Sequence, residues 1–244
     1  MYRILAVLFL ASIVGLPASA QHYDLYYVLP AEEGTTGMDA GLVSADIGSL
    51  GEVSNLNILG KYSISDNVEV GARGVFRVFN DGRNNLSTIE VGVKLGIEEM
   101  VALTAALLLP FGDADDFGRL LPAGDADDFG LSIGAMRTKE TDSGLAINTW
   151  LQATFLKGYH ADGVGLNLLI EPTRALGDRL TGYIDVLVNT ETDSFGDNLG
   201  VNIGPNVDIT LSENALINVG LTFGMVGDAK QDDIGLVVAL VAGL

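Results

Sequence analysis

The densest concentration of ligand-type oxygen in this chain is a tandem repeat. Residues 108–119 are followed directly by residues 120–131, identical at ten of twelve positions, and each copy carries an Asp-Ala-Asp-Asp group. Asp113, Asp115 and Asp116 form the first group and Asp125, Asp127 and Asp128 the second. Several carboxylates on a flexible loop suit a hard cation such as Ca2+ or Mg2+. The spacing is not that of an EF-hand, which needs a longer ligand series ending in a bidentate Glu. A surface loop also accepts a duplication at little cost in closure entropy. The repeat reads as a candidate weak cation site beside the simpler reading of a neutral duplication.

Nucleophilic chemistry has little to work with. The chain has no cysteine, which excludes disulfides, thiolate metal sites and cysteine nucleophiles. Its two histidines are His22 and His160, the second in Lys157-Gly158-Tyr159-His160-Ala161-Asp162. No nucleophile and base stand at a productive spacing, so no catalytic residue is assigned and an enzyme is only the remote alternative.

The remaining ionisable residues fall into a pattern. In residues 68–79 one parity is Val68, Val70, Ala72, Gly74, Phe76 and Val78, and the other holds Glu69, Arg73 and Arg77. A period of two places these sets on opposite faces of a strand. The same alternation sets Glu90 and Lys94 against Ile89, Val91, Val93 and Leu95, and Asp208 against Val207 and Ile209. Lys61, Glu171 and Asp185 share the polar parity of their own segments, and Trp150 stands between Asn148 and Gln152 on another. The polar parity is otherwise Gly, Asn, Thr and Ser, and the opposite parity is almost wholly aliphatic.

Strands are therefore the elements that must position these side chains. They are expected near residues 38–48, 54–65, 68–79, 87–97, 100–110, 130–138, 144–156, 163–171, 180–190, 198–209, 214–224 and 233–244. Their length, about ten residues, suits a tilted crossing of a hydrocarbon layer. Pro172 is taken to open a turn, and Pro205 to mark a bulge or strand end, because proline leaves a ladder bond unmade. Short connections alternate with usually longer, Gly- and Asp-rich ones, and the strand count is even. Both are properties of a closed up-and-down barrel with tight turns and both termini on the periplasmic side. The fold class expected is thus all-β: a single antiparallel transmembrane up-and-down β-barrel of about 12 strands. A secreted β-sandwich is the competing architecture, and its outer faces would carry more polar residues.

Composition agrees. Arg3, the apolar run 4–16 and the small residues Ala18 and Ala20 have the order of a secretory signal peptide, so residues 1–20 are expected to be removed after export through the Sec pathway. The formal charge of −19 repels nucleic acid, while a mean hydropathy of +0.35 is high for an acidic secreted chain and fits apolar strand faces in lipid. Residues 21–37 read as a periplasmic lead, a plug or an extra strand, and residues 38–244 as the barrel.

The hairpin Leu59-Gly60-Lys61-Tyr62-Ser63-Ile64-Ser65-Asp66-Asn67-Val68-Glu69-Val70-Gly71 resembles a recurrent signature of bacterial outer-membrane barrels, with looser echoes at Leu176-Gly177-Asp178-Arg179-Leu180 and Leu211-Ser212-Glu213-Asn214-Ala215. The chain looks like the broad group of channel or transport barrels that includes outer-membrane proteins associated with aromatic-compound degradation. The resemblance implies an outer-membrane location, contact with lipid and lipopolysaccharide, and folding by the barrel assembly machinery. The machinery usually reads a terminal aromatic, where this sequence has Val241-Ala242-Gly243-Leu244.

A barrel puts Lys61, Glu69, Arg73, Arg77, Glu90, Lys94, Trp150, Glu171, Asp185 and Asp208 on the lumen as pore-lining residues. Basic groups collect on one wall and acidic groups on the other. The functional expectation is a narrow channel for small polar or ring-bearing solutes, with Trp150 as a stacking surface. The alternative is a structural barrel whose interior is filled by mutually neutralising pairs. No cofactor is expected beyond Ca2+ or Mg2+ on the acidic loops, and the duplicated loop is a candidate to fold inward and narrow the pore.

Overall fold

The computed structural model describes residue 34 and residues 36–44, 54–78, 85–98, 100–110, 129–157, 162–191, 199–227 and 234–243. Twelve strands carry almost all of them: β1 (Thr36–Ser44), β2 (Ser54–Ser65), β3 (Val68–Val78), β4 (Asn85–Glu98), β5 (Val101–Pro110), β6 (Phe129–Glu140), β7 (Leu145–Lys157), β8 (Asp162–Gly177), β9 (Leu180–Glu191), β10 (Gly200–Ser212), β11 (Ala215–Val226) and β12 (Gly235–Gly243). Each pairs antiparallel with its sequence neighbour, and β1 pairs with β12, so the sheet is a closed barrel. Closure leaves no edge with unpaired backbone groups, the condition for strands to sit in lipid. It also rules out the sandwich.

Alternation places the side chains as the period of two requires. On β7, Leu151 and Phe155 are exposed while Trp150, Gln152 and Thr154 are buried. On β6, Phe129, Leu131 and Ile133 are exposed while Ser132 and Met136 are buried. Exposed large apolar residues facing outward in this way give the barrel an apolar outer surface, the pattern of barrels whose strands cross a membrane. None of the described residues forms a helix long and apolar enough to cross a membrane.

The short connections all lie at one end, where Asp66-Asn67, Asp178-Arg179 and Glu213-Asn214 make two-residue turns. Two of these turns are built alike: Asn67 N–H donates to Ser65 Oγ at 3.4 Å and Asn214 N–H to Ser212 Oγ at 3.3 Å. At the same end, Gly144 closes the β6–β7 turn with a φ of 75°, a left-handed conformation that glycine adopts without steric cost. The start of β1 and the end of β12 meet there too, through Gly37 opposite Gly243.

Most strand boundaries shift by one to three residues from the sequence reading, and three points differ in kind. Strand β1 begins at Thr36, within the last two residues of the segment 21–37 read as a lead, a plug or an extra strand. Strand β8 does not stop before Pro172 but runs to Gly177. The β7 ladder continues through Ile147 opposite Pro172, while the β9 ladder pauses between Ile170 and Thr173, so the missing N–H costs one side only. Pro205 likewise produces neither a bulge nor a strand end. The β9 ladder is continuous past it, and pairing with β11 lapses between Ile203 and Asn206 before resuming in the same register. The predicted signal segment 1–20, both histidines and the six aspartates Asp113, Asp115, Asp116, Asp125, Asp127 and Asp128 lie outside the described residues.

Candidate functional site

The lumen is built from one residue in two of every strand, and its charged members sort by wall. On β2–β4, Glu69 accepts from both Lys61 and Lys94 through the same Oε1, at 3.3 and 3.0 Å. These side chains are 0–2% exposed. One step along the same strands, Arg73 Nη2 donates to Glu90 Oε2 at 2.6 Å. The register explains the pairing, because Lys94 lies opposite Glu69 and Glu90 opposite Arg73 across the β3–β4 ladder. Directly opposed residues on one face are close enough for charged side chains to meet. The backbone of Arg77 sits in β3 opposite Asn55 and Asn85, and its side chain lies outside what the structure describes.

On β6–β11 the carboxylates are held differently. Asn148 Nδ2 donates to Glu171 Oε1 at 2.7 Å, Thr173 Oγ1 donates to the same oxygen at 2.9 Å, and Thr138 Oγ1 donates to Asn148 Oδ1 at 2.8 Å. Asn206 Nδ2 donates to Asp185 Oδ2 at 2.7 Å. Asn218 Nδ2 donates to Asp208 Oδ1 at 2.8 Å and also to Tyr183 Oη. Each of the three carboxylates thus accepts from an asparagine amide on a neighbouring strand. Asn206 reaches Asp185 by lying over Gly220, where a Cβ would stand 1.5 Å from its Oδ1.

Between the two walls the lumen is crossed by an apolar layer. Leu59, Ala102, Met136, Trp150 and Leu169 form one contiguous buried cluster, with Leu187 packed against it. Their strands run from β2 to β9, and β2 and β8 stand on opposite sides of a ring of twelve, so this contact spans the interior. Trp150 is 2% exposed. The space beside it, lined by Met136, Thr138, Asn148 and Leu169, is about 10 Å3, room for a single water at most.

Trp150, Lys61, Glu69, Arg73, Glu90, Lys94, Glu171, Asp185 and Asp208 therefore all face the lumen. The structure brings them together as two hydrogen-bonded walls and a septum. The reading from sequence missed the septum. Its signal was present: one apolar residue interrupts the polar parity at Leu59 before Lys61, at Leu169 between Asn167 and Glu171, and at Leu187 between Asp185 and Asn189. Among the described residues no group of three or more His, Asp or Glu side chains could hold a metal ion.

No family model matches this chain, and no curated protein matches it. Solved structures do. The chain is similar to an outer membrane channel from Pseudomonas putida F1, with a TM-score of 0.57 and 12% identity over 93% of this chain and 100% of that one. It is also similar to the KdgM porin, solved in complex with disordered oligogalacturonate, with a TM-score of 0.55 and 7% identity over 85% of this chain and 98% of that one. The NanC porin matches with a TM-score of 0.53 at 7% identity, over the same shares of 85% and 98%. At such identities the likeness carries the fold alone: the chain folds as a closed antiparallel β-barrel, the fold of these outer-membrane porins and channels.

Proposed function

We propose that this barrel is a narrow channel for small polar or ring-bearing solutes, with its constriction at the layer around Trp150. The observation that carries the reading is the division of the lumen. Asn, Thr and carboxylate side chains line the wall on both sides of the apolar layer around Trp150, and the other buried apolar side chains, among them Leu108, Leu216 and Val241, lie outside that cluster. A short hydrophobic constriction between hydrated segments is one of the devices by which pores gate. The fold shared with porins supports the same reading.

A second reading has its own observation. Lys94, Glu69, Ser63 and Trp150 are all at most 2% exposed, as they would be in a structural barrel whose interior is filled and which transports nothing. Liposome swelling separates the two. The channel reading predicts influx of small polar solutes with a sharp size limit, and no influx of any solute from liposomes containing folded protein supports the filled barrel.

A further inference from the structure

We propose that the permeation path follows the β7–β11 wall and selects cations, inorganic or small organic, over anions. The inference rests on the channel reading and gives it a substrate class. On β2–β4 the charged groups answer one another, since Glu69 accepts from two lysines and Glu90 from Arg73. With three bases against two acids, that patch keeps a net charge of +1, smaller in magnitude than the −3 of Glu171, Asp185 and Asp208. On the other wall Glu171, Asp185 and Asp208 accept from Asn148, Asn206 and Asn218. An amide donor fixes the orientation of a carboxylate and brings no formal charge of its own. Among the described side chains that face the lumen between the two rims, three are basic (Lys61, Arg73, Lys94) and five are acidic (Glu69, Glu90, Glu171, Asp185, Asp208). The excess is negative. A narrow lumen with low-dielectric walls focuses such a charge and raises the local concentration of the opposite sign.

A second observation points to the same ligand on the same wall. Gln152 and Thr154, 3% and 1% exposed, face inward from β7, and Gln152 Oε1 and Thr154 Oγ1 are buried without a hydrogen-bond partner. A buried oxygen left without a donor carries a desolvation cost of about 1–3 kcal/mol in general. Carbonyl and hydroxyl oxygens of this kind are what a partly dehydrated cation, with its remaining water, takes up in a filter. Thr154, Gln152 and the Asn148–Glu171 pair follow one another down β7 and β8, placing oxygen on both sides of the Trp150 layer. Three of the asparagine amides on this wall, those of Asn148, Asn206 and Asn218, are directed at its own carboxylates.

The test is the reversal potential of the full-length barrel in a planar bilayer under a tenfold KCl gradient. The proposal expects a K+ over Cl− permeability ratio on the order of threefold or more. It expects the ratio to fall toward unity in the combined variant Glu171→Gln, Asp185→Asn, Asp208→Asn, with a smaller fall in each single variant. Changing all six loop aspartates from Asp113 to Asp128 to Asn should leave the cation preference in place. Discrete steps with no preference or an anion preference would overturn the proposal while leaving the channel reading standing, as would a preference abolished by the loop changes alone. No steps from folded protein would overturn both. If the combined variant fails to fold, as judged by heat-modifiable migration, the wild-type sign and the single variants decide.

Discussion

Trp150 lies opposite Met136 on β6, and its indole nitrogen leans toward Gly134, the next inward position, which has no side chain. Gly134 lies opposite Gln152, and a Cβ there would stand 2.7 Å from Thr104 Oγ1, 2.9 Å from the Leu151 carbonyl oxygen and 3.1 Å from Trp150 Nε1. The first two are too close for any Cβ, so Thr104 and the β7 backbone must shift, and the third presses on the indole. Gly134→Val is expected to destabilise the barrel by about 1–3 kcal/mol and to raise the tryptophan's accessibility to iodide quenching; an unchanged quenching constant would contradict the packing described. Glu69 is the other residue on which a local network turns. Glu69→Gln leaves Lys61 and Lys94 without the carboxylate they share, and breaking a buried pair in this way costs about 3–5 kcal/mol. Urea unfolding in vesicles measures it, and a variant as stable as the parent would show that the pair is dispensable. Both lysines and Glu69 were legible as inward from their parity. That they share one oxygen was not, since it depends on register across two ladders.

At the scale of elements, strand parity divides each strand into an outer side and a lumen side, and the energetic consequence is asymmetric. Leu151 faces outward from the middle of β7 and is 54% exposed. Leu151→Lys should cost about 2–4 kcal/mol if that position lies near the bilayer midplane. Equilibrium unfolding from lipid vesicles checks the value, and a neutral result would mean that this face does not meet lipid. The same parity made most strands legible in advance: β2 was expected at 54–65 and found at Ser54–Ser65, and β3 was expected at 68–79 and found at Val68–Val78. The errors cluster at prolines. Pro172 and Pro205 were expected to interrupt their strands, yet each loses bonds to only one of its two neighbours and is carried through by the other. A sequence shows that the donor is missing but not how firmly the opposite ladder holds.

For the whole molecule, the decisive event is closure. Pairing of β1 with β12 turns twelve amphipathic ribbons into a cylinder and converts a list of inward residues into a set that can meet across a lumen. The even count and the alternating connections announced that closure. The septum needed the coordinates, because Leu59 and Leu169 are distant in sequence and sit six strands apart. Period two says which face a residue takes and nothing about what stands opposite. The central claim is that this septum, and Trp150 above all, sets the width of a channel. Single-channel recording of the parent and Trp150→Ala in planar bilayers tests it most directly. The account predicts small discrete steps from the parent and larger ones from the variant, which should remain folded although removal of a buried aromatic costs about 3–5 kcal/mol. Equal conductances, or silence from both folded proteins, would contradict it.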